Sequence, residues 1–194
     1  MTNLLTAPDE QEPDLTRRSL LKAGLLMGIL AATPLSALGA DFWDQPRRLR
    51  LYRPDTHETV DAVYWERGQL NYEGYYQACQ LLRDIHQDKA VQMDTTLFDV
   101  LCGVQGYYRA YGFDSPLLIN SGFRTQKTNN SLRSEGAVKN SMHLYGKAAD
   151  IRMPNVPAHH LGQVGLYFRQ GGVGFYESRD FVHLDTGRLR VWRG

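Results

Sequence analysis

The chain has 194 residues, of which 42% are hydrophobic and 22% are charged, and its formal net charge at pH 7 is +1. This length and composition suit one ordinary globular domain with its own core and leave no need for a second domain. A net charge so close to zero does not favour nucleic-acid binding, which requires a basic surface for the phosphates.

The first 40 residues have the pattern of an export signal. Arg17 and Arg18 stand in a Thr-Arg-Arg-Ser-Leu-Leu-Lys segment, and an apolar run from Ala23 to Ala32 follows. This is typical of a twin-arginine signal, and small residues near positions 39 and 40 offer a cleavage site. The apolar run is short for a bilayer core of about 30 Å, although an uncleaved anchor is the alternative. The sequence therefore predicts export of a folded domain, residues 41–194, to the bacterial envelope, with only transient membrane contact.

Beyond the signal, the pattern predicts an α+β domain with a small antiparallel sheet and flanking helices. Alternation with period two over 48–52 and 59–65 predicts a β-hairpin at an edge of the sheet. Apolar residues spaced by three and four predict a helix over 71–86. A second helix is predicted to begin after Asp94, which would cap it, and to end near Gly112.

The second half of the chain predicts the remainder of the sheet. Strands are predicted at 117–120, at 147–153 and around Tyr176 and His183. A helix is predicted from Pro157 to about Arg169. The polar segment 125–140 is predicted to be a long loop or helical turn that lines a functional site, because loops of this length often carry function.

Cys79 and Cys102 lie in the two predicted helices. Free cysteine in such a segment usually behaves as a small buried hydrophobe, although an oxidising compartment would permit a disulfide. The sequence favours two buried thiols, because a domain of this size does not need a covalent link.

Two short segments, 141–150 and 180–185, supply His143, Asp150 and His183. Two histidines and a carboxylate suit a catalytic zinc, which takes three N or O ligands and keeps one position open. Other divalent ions also accept this donor set. Alternation around Asp150 and the glycine at 146 favour strands for both His143 and Asp150.

The adjacent pair His159 and His160 opens the predicted helix after Pro157. Neighbouring residues do not share a helix face, so this pair is not expected to bind the metal.

The segment 141–150 matches the pattern Ser-x-His-x-x-Gly-x-Ala-x-Asp at Ser141, His143, Gly146, Ala148 and Asp150. The chain thereby resembles the zinc metallopeptidase superfamily of lysostaphin-type endopeptidases, D-Ala-D-Ala metallopeptidases and the hedgehog fold. Further similarity at 121–124, 171–176 and 181–192 indicates the D-Ala-D-Ala branch, and within it exported murein endopeptidases of the MepK type. The resemblance covers roughly residues 48–192. It implies that His143, Asp150 and His183 bind one Zn²⁺ per chain.

The same resemblance implies roles around the zinc. Asp180, three residues before the last ligand, corresponds to an acid that accepts the proton of the attacking water. In an ideal strand it would face away from His183, so it must lie in a turn to reach the metal, and closure of a surface turn is the alternative role. Asp185 is the second candidate base or an orienting residue for His183. Arg124 would hold a substrate carboxylate or stabilise the oxyanion.

Three further residues are expected to border the site. Ser141 is predicted to brace a ligand or the substrate backbone, and Tyr145 and Tyr176 flank the ligand segments and are predicted to form cleft walls.

The resemblance implies a periplasmic, zinc-dependent endopeptidase that cuts peptide cross-links of peptidoglycan. The protein is expected to be a monomer. Ligand spacing is equally compatible with a D,D-carboxypeptidase or dipeptidase that trims stem peptides, and with cleavage of either 3-3 or 4-3 cross-links. A wall-binding module of the same fold without activity is a third interpretation, since fold alone does not determine function.

Overall fold

The computed structural model describes residues 39–194 of the protein. The predicted twin-arginine signal, residues 1–40, lies outside the described residues except for its last two positions. Within the described part of the chain, no helix is both long enough and apolar enough to cross a membrane.

Residues 39–194 form five α-helices and eight β-strands. The helices are α1 (Gly39–Asp44), α2 (Tyr72–Leu81), α3 (Thr95–Ala110), α4 (Gln126–Ser131) and α5 (Ala158–Phe168). The strands are β1 (Arg47–Arg53), β2 (Glu58–Glu66), β3 (Gln69–Leu70), β4 (Leu117–Ser121), β5 (Ala148–Arg152), β6 (Gly172–Tyr176), β7 (Phe181–Asp185) and β8 (Arg190–Arg193).

The strands form one sheet in the order β3-β2-β1-β4-β5-β7-β6-β8. Strands β1 and β4 pair in parallel, as do β6 and β8, whereas the other neighbours are antiparallel. The predicted α+β class is confirmed, but the sheet is mixed and larger than the small antiparallel sheet expected. Alternation within a strand predicts which face is buried and does not predict the neighbouring strand or its direction.

The predicted start of α3 agrees with the structure, whereas the predicted end of α2 does not. Asp94 caps α3 as expected, because its carboxylate accepts a hydrogen bond from the Thr96 amide at 2.9 Å. Helix α2 ends at Leu81, earlier than the predicted 86. There the chain turns, and Asp84 and Lys89 exchange two backbone hydrogen bonds of 2.9 and 3.0 Å. Apolar residues continue at helical spacing into this turn, so the sequence pattern does not predict where the helix ends.

The core lies where α2, α3 and α5 pack against the sheet. Helix α2 packs on β2, α3 packs on β1 and on α5, and α5 packs on β6 and β7. Cys79 and Cys102 belong to this core as free thiols, in agreement with the favoured interpretation of the sequence.

Strands β1 and β4 pair at only two positions. A buried glutamine of α3 forms additional hydrogen bonds next to this pairing. The Gln105 side chain accepts a hydrogen bond from the Arg50 amide at 3.0 Å. It also donates to the carbonyl oxygens of Arg50 and Ser115 at 2.7 and 3.2 Å. Its amide group therefore satisfies backbone groups of β1 that lie beyond the short parallel pairing.

Candidate metal centre

One row of residues crosses five neighbouring strands and carries most of the candidate site. Asp150 of β5 lies between Ser121 of β4 and His183 of β7. His183 pairs in turn with Gly174 of β6, and Gly174 pairs with Trp192 of β8. Residues aligned across neighbouring strands project from the same face of a sheet. The sheet register therefore brings residues from distant parts of the sequence to one place.

His143 reaches this row from a 3-10 helix, Met142–Tyr145. The prediction of a strand at His143 is wrong, because the Ser141 hydroxyl caps this turn and accepts a hydrogen bond from the His143 amide at 3.4 Å. Ser141 thus braces His143. Gly146, with a φ of +66°, ends the helix and leads the chain into β5, which agrees with the reversal predicted there.

Three atoms that could bind a metal converge at the centre of the site. His143 Nε2 lies 3.3 Å from Asp150 Oδ1 and 3.1 Å from His183 Nδ1, and the last two atoms are 2.9 Å apart. Zinc bonds of about 2.0–2.1 Å in a tetrahedron separate the ligand atoms by about 3.3 Å. Among residues 39–194 this is the only group of three that could hold a metal ion. His159 and His160 do not belong to it.

Each histidine ring has one nitrogen that points away from the cluster, and the hydrogen bond of that nitrogen determines whether the other nitrogen has a lone pair for a metal. His143 Nδ1 lies 2.6 Å from the Gly122 carbonyl oxygen, which can only accept, so Nδ1 carries the proton. His183 Nε2 donates to Asp185 Oδ2 at 2.8 Å. The lone pairs of His143 Nε2 and His183 Nδ1 therefore face each other and the Asp150 oxygen. Three acceptors at this separation repel one another unless a cation lies between them, so these residues fit a bound metal.

Burial and hydrogen bonding set the charges of the cluster. Burial lowers the pKa of His143 and keeps its ring neutral. Burial opposes the charge of Asp150, but the two histidine rings outweigh it and hold the pKa of Asp150 well below its ordinary value. Burial opposes the charged form of His183, but the carboxylates of Asp150 and Asp185 outweigh it and raise the pKa of His183. The site is therefore built around an ionised carboxylate, whose negative charge attracts a cation.

Asp185 lies behind His183 and is only 3% exposed. Besides His183, its carboxylate accepts hydrogen bonds from the Gly172 and Gly187 amides at 3.0 and 2.8 Å and from Arg190 at 3.0 and 2.6 Å. Burial opposes its charge, but these bonds hold the pKa of Asp185 well below its ordinary value. Such a carboxylate orients His183 from the side opposite Asp150, and this position does not favour a role as the base.

Arg124 lies on the other side of the cluster. Its Nη2 donates to Asp150 Oδ2, and its Nε donates to the Ser121 hydroxyl at 2.7 Å. Its backbone amide donates to the His143 carbonyl at 3.1 Å. Arg124 therefore holds Asp150 in place, which is a contact that the sequence does not predict.

The cluster opens into a cavity of about 380 Å³. Predicted residues that line it are Arg124, Ser141, Tyr176, His143, Asp150 and His183. The segment 125–140 contributes Leu132, Glu135, Gly136, Ala137 and Val138, as its length and polarity predict. Tyr145 is 59% exposed and does not line this cavity.

Asp180 lies at the end of a 3-10 helix, Glu177–Arg179, with a φ of +49°. It therefore occupies the turn that the predicted role requires. Its side chain is exposed and does not line the cavity, although the flanking residues Arg179 and Phe181 do.

The sequence assigns no role to four aromatic or cationic residues that line the cavity, Arg179, Phe181, Arg190 and Trp192. The Trp192 ring lies 5.2 Å from the His183 ring, and its Nε1 donates to the Tyr176 hydroxyl at 3.0 Å. A Cβ on Gly174 would lie 2.4 Å from Trp192 Cε2, so only glycine leaves room for this ring. The run of glycines before Tyr176 was the signal for this close approach.

Residues 42–192 match the family described as Peptidoglycan L,D-endopeptidase MepK. The chain is 34% identical over 182 residues to the peptidoglycan L,D-endopeptidase MepK of Escherichia coli strain K12, covering 92% of this chain and 98% of the relative. The same values hold for the protein of that name from Shigella flexneri.

A protein of Haemophilus influenzae, named probable peptidoglycan L,D-endopeptidase MepK, is 29% identical over 180 residues, with 92% of this chain and 95% of the relative covered. These similarities confirm the resemblance predicted from the motifs. The chain therefore belongs to the peptidoglycan L,D-endopeptidase MepK family.

Proposed function

We propose that this protein is a zinc-dependent peptidoglycan endopeptidase that hydrolyses peptide cross-links of the cell wall. The observation that carries the proposal is the convergence of His143 Nε2, Asp150 Oδ1 and His183 Nδ1 at a cavity, in a chain of this family. Bound zinc would supply a water of lowered pKa and polarise the scissile carbonyl.

The surrounding residues hold this arrangement and move the proton. Asp185 orients His183, the Gly122 carbonyl orients His143, and Arg124 holds Asp150. Asp180 accepts the proton of the attacking water and returns it to the leaving amine. Its carboxylate is exposed between two residues that line the cavity, Arg179 and Phe181, and catalytic hydrogen bonds often form only in the complex with substrate.

The predicted signal supports action in the periplasm after export by the twin-arginine machinery and cleavage near residue 39 or 40, and we propose that the released protein acts as a monomer. Replacement of both Arg17 and Arg18 by lysine is expected to leave the protein in the cytoplasm. Cell fractionation measures this. Normal export of that variant would contradict the assigned route.

The activity is tested on intact murein sacculi. Purified residues 41–194 are incubated with sacculi and zinc, with a chelator in place of zinc, and as the His183→Ala variant. Released muropeptides are then identified by chromatography and mass spectrometry. We expect cross-linked dimers to disappear only with wild-type protein and zinc, and the products identify which cross-link is cut.

The other outcomes distinguish the alternative functions. Intact dimers together with shortened monomers would indicate a carboxypeptidase or dipeptidase. Zinc binding without any change in the muropeptides would indicate a binding module. His160→Ala serves as the control, because His160 lies outside the cluster and is expected to retain full activity.

A further inference from the structure

Three arginines line the cavity, and two of them are engaged by acidic residues of the site. Arg124 donates to Asp150, and Arg190 donates to both oxygens of Asp185. Arg179 also lines the cavity, but within residues 39–194 it forms no ion pair with a carboxylate. It is therefore the cavity arginine whose charge is available to a ligand.

Two stacked rings hold Arg179 in place. Its guanidinium carbon lies 4.8 Å from the centre of the Tyr176 ring and 5.1 Å from that of Phe181. Those rings are partners across β6 and β7 and stack at 4.5 Å with an angle of 11° between their planes. A guanidinium packed on aromatic faces keeps its N–H groups available for a planar, two-pronged contact with a carboxylate.

The position of Arg179 links this contact to the metal cluster. Phe181 and His183 are two residues apart on β7, so their side chains project from the same face of the strand. Both side chains and Arg179 line the same cavity. A carboxylate bound by Arg179 would therefore belong to the peptide whose scissile bond lies at the cluster.

A bound metal would make the cavity favour an anionic ligand. The lining contains three arginines and two carboxylates, Glu135 and Asp150, and a third carboxylate, Asp185, pairs with Arg190 from outside the lining. These charges balance, so a divalent cation at the cluster would make the cavity positive.

We propose that Arg179 is a specificity-determining residue that binds a free carboxylate of the stem peptide and makes the enzyme prefer this acid to its amide. The inference rests on the proposed function and identifies the chemical form of its substrate. A neutral amide at the same place would lose the charge-assisted hydrogen bonds and leave Arg179 unpaired.

The test measures kcat and KM on two purified muropeptide dimers, one with free carboxyl groups and one with these groups converted to amides. Wild-type protein is expected to prefer the acid by about tenfold to a hundredfold in kcat/KM, as one or two charge-assisted hydrogen bonds would give. Arg179→Gln should lose this preference through a higher KM for the acid. Arg179→Lys should retain part of it, because lysine keeps the charge without the planar contact.

Arg193→Gln is the matched control. Arg193 is an exposed arginine of the adjoining strand that pairs with Glu177 and does not line the cavity, so the preference should remain. An Arg179→Gln enzyme that still prefers the acid as strongly as wild type would overturn the inference, as would a wild-type enzyme without preference. A wild-type enzyme that cleaves neither dimer would instead contradict the proposed endopeptidase function. Zinc content and circular dichroism of each variant identify any loss of the fold.

Discussion

The two ring nitrogens of His183 have different partners. Nδ1 faces Asp150 and His143, whereas Nε2 donates a hydrogen bond to Asp185. Because Asp185 also accepts from Arg190 and two backbone amides, it is held rigidly and fixes both the tautomer and the orientation of the ring. Carboxylates in this position increase the basicity of a metal-binding histidine.

The substitution Asp185→Asn tests this orienting role. We expect the affinity for zinc to fall about tenfold to a hundredfold, because the amide lacks the charge that supports His183. Competition with a chromophoric chelator measures the affinity.

Arg190→Gln is the control for that experiment, since it removes a partner of Asp185 but leaves the hydrogen bond to His183. It should bind zinc more tightly than Asp185→Asn. Equal losses in the two variants would show that local packing, and not the carboxylate at His183, determines the affinity.

Asp180→Asn tests proton transfer. If Asp180 accepts the proton of the attacking water, kcat should fall about 10²- to 10⁴-fold while zinc content stays the same. Steady-state kinetics on cross-linked dimers measures kcat. Glu177→Gln, in the same exposed turn, should retain its activity.

Glu135→Gln tests whether Glu135, and not Asp180, is the base. Glu135 is the one carboxylate besides Asp150 that lines the cavity among residues 39–194. Loss of kcat in Glu135→Gln with normal kcat in Asp180→Asn would move proton transfer to Glu135.

At the scale of elements, the turn after α2 positions the segment that carries Arg124. The buried Asp84 carboxylate accepts hydrogen bonds from the His86 amide at 3.0 Å and from the Thr125 amide at 2.8 Å. The Leu82 carbonyl accepts from the Phe123 amide at 2.7 Å. A turn far from the metal in sequence thus fixes the backbone on both sides of Arg124.

Asp84→Asn should lower the free energy of unfolding at pH 7 by about 1–3 kcal/mol, because a charged acceptor is lost from buried amides. Burial opposes the Asp84 charge, but its hydrogen bonds with Thr128, Thr125 and His86 outweigh this and lower its pKa. A lowered folded-state pKa gives stability that is present above the unfolded value of about 3.9 and disappears as the pH falls through the folded value. The difference between wild type and variant should therefore shrink below about pH 4.

Urea unfolding between pH 2.5 and pH 7 (roughly the range in which carboxyl groups titrate) measures this difference. Asp88→Asn is the control, since its side chain lies in the same turn but is 80% exposed and forms only an ion pair with Arg83. A constant difference between wild type and Asp84→Asn at all pH values would contradict the role of the charge.

The local elements were largely predictable from sequence, whereas their assembly was not. Period-two alternation and the Asp94 cap predicted the hairpin and α3, because these signals depend on neighbouring residues. The motif of 141–150 and the segment 180–185 identify the three residues that the structure brings together. The bond from Arg124 to Asp150 and the place of Trp192 depend on strand register and on a parallel pairing, which residue spacing does not determine.

At the scale of the whole molecule, metal binding should couple to stability. Three acceptors face one another in the cluster, so a cation that binds only the folded protein stabilises it. At a free zinc concentration of about one hundred times Kd the gain is about 2.7 kcal/mol, or roughly 5–10 °C in Tm for a domain of this size. Differential scanning calorimetry with zinc and with a chelator measures the shift.

His143→Ala should abolish this zinc-dependent shift, and His159→Ala should retain it, because His159 lies outside the cluster. A wild-type Tm that does not respond to zinc would contradict a metal centre at this site.

The short pairing of β1 with β4 bears on which parts of the sheet bound zinc would stabilise. Every residue that lines the cavity lies between positions 124 and 192. Strands β1 to β3 form the other end of the sheet, which is joined to β4 by two paired positions and by the hydrogen bonds of Gln105. Within the sheet, only this short pairing joins the hairpin to the strands that carry the metal cluster, and its other contacts with the molecule run through α2 and α3. Amide protons of β5 and β7 should exchange more slowly with solvent deuterium when zinc is bound, and those at the outer edge of the hairpin should exchange at nearly unchanged rates.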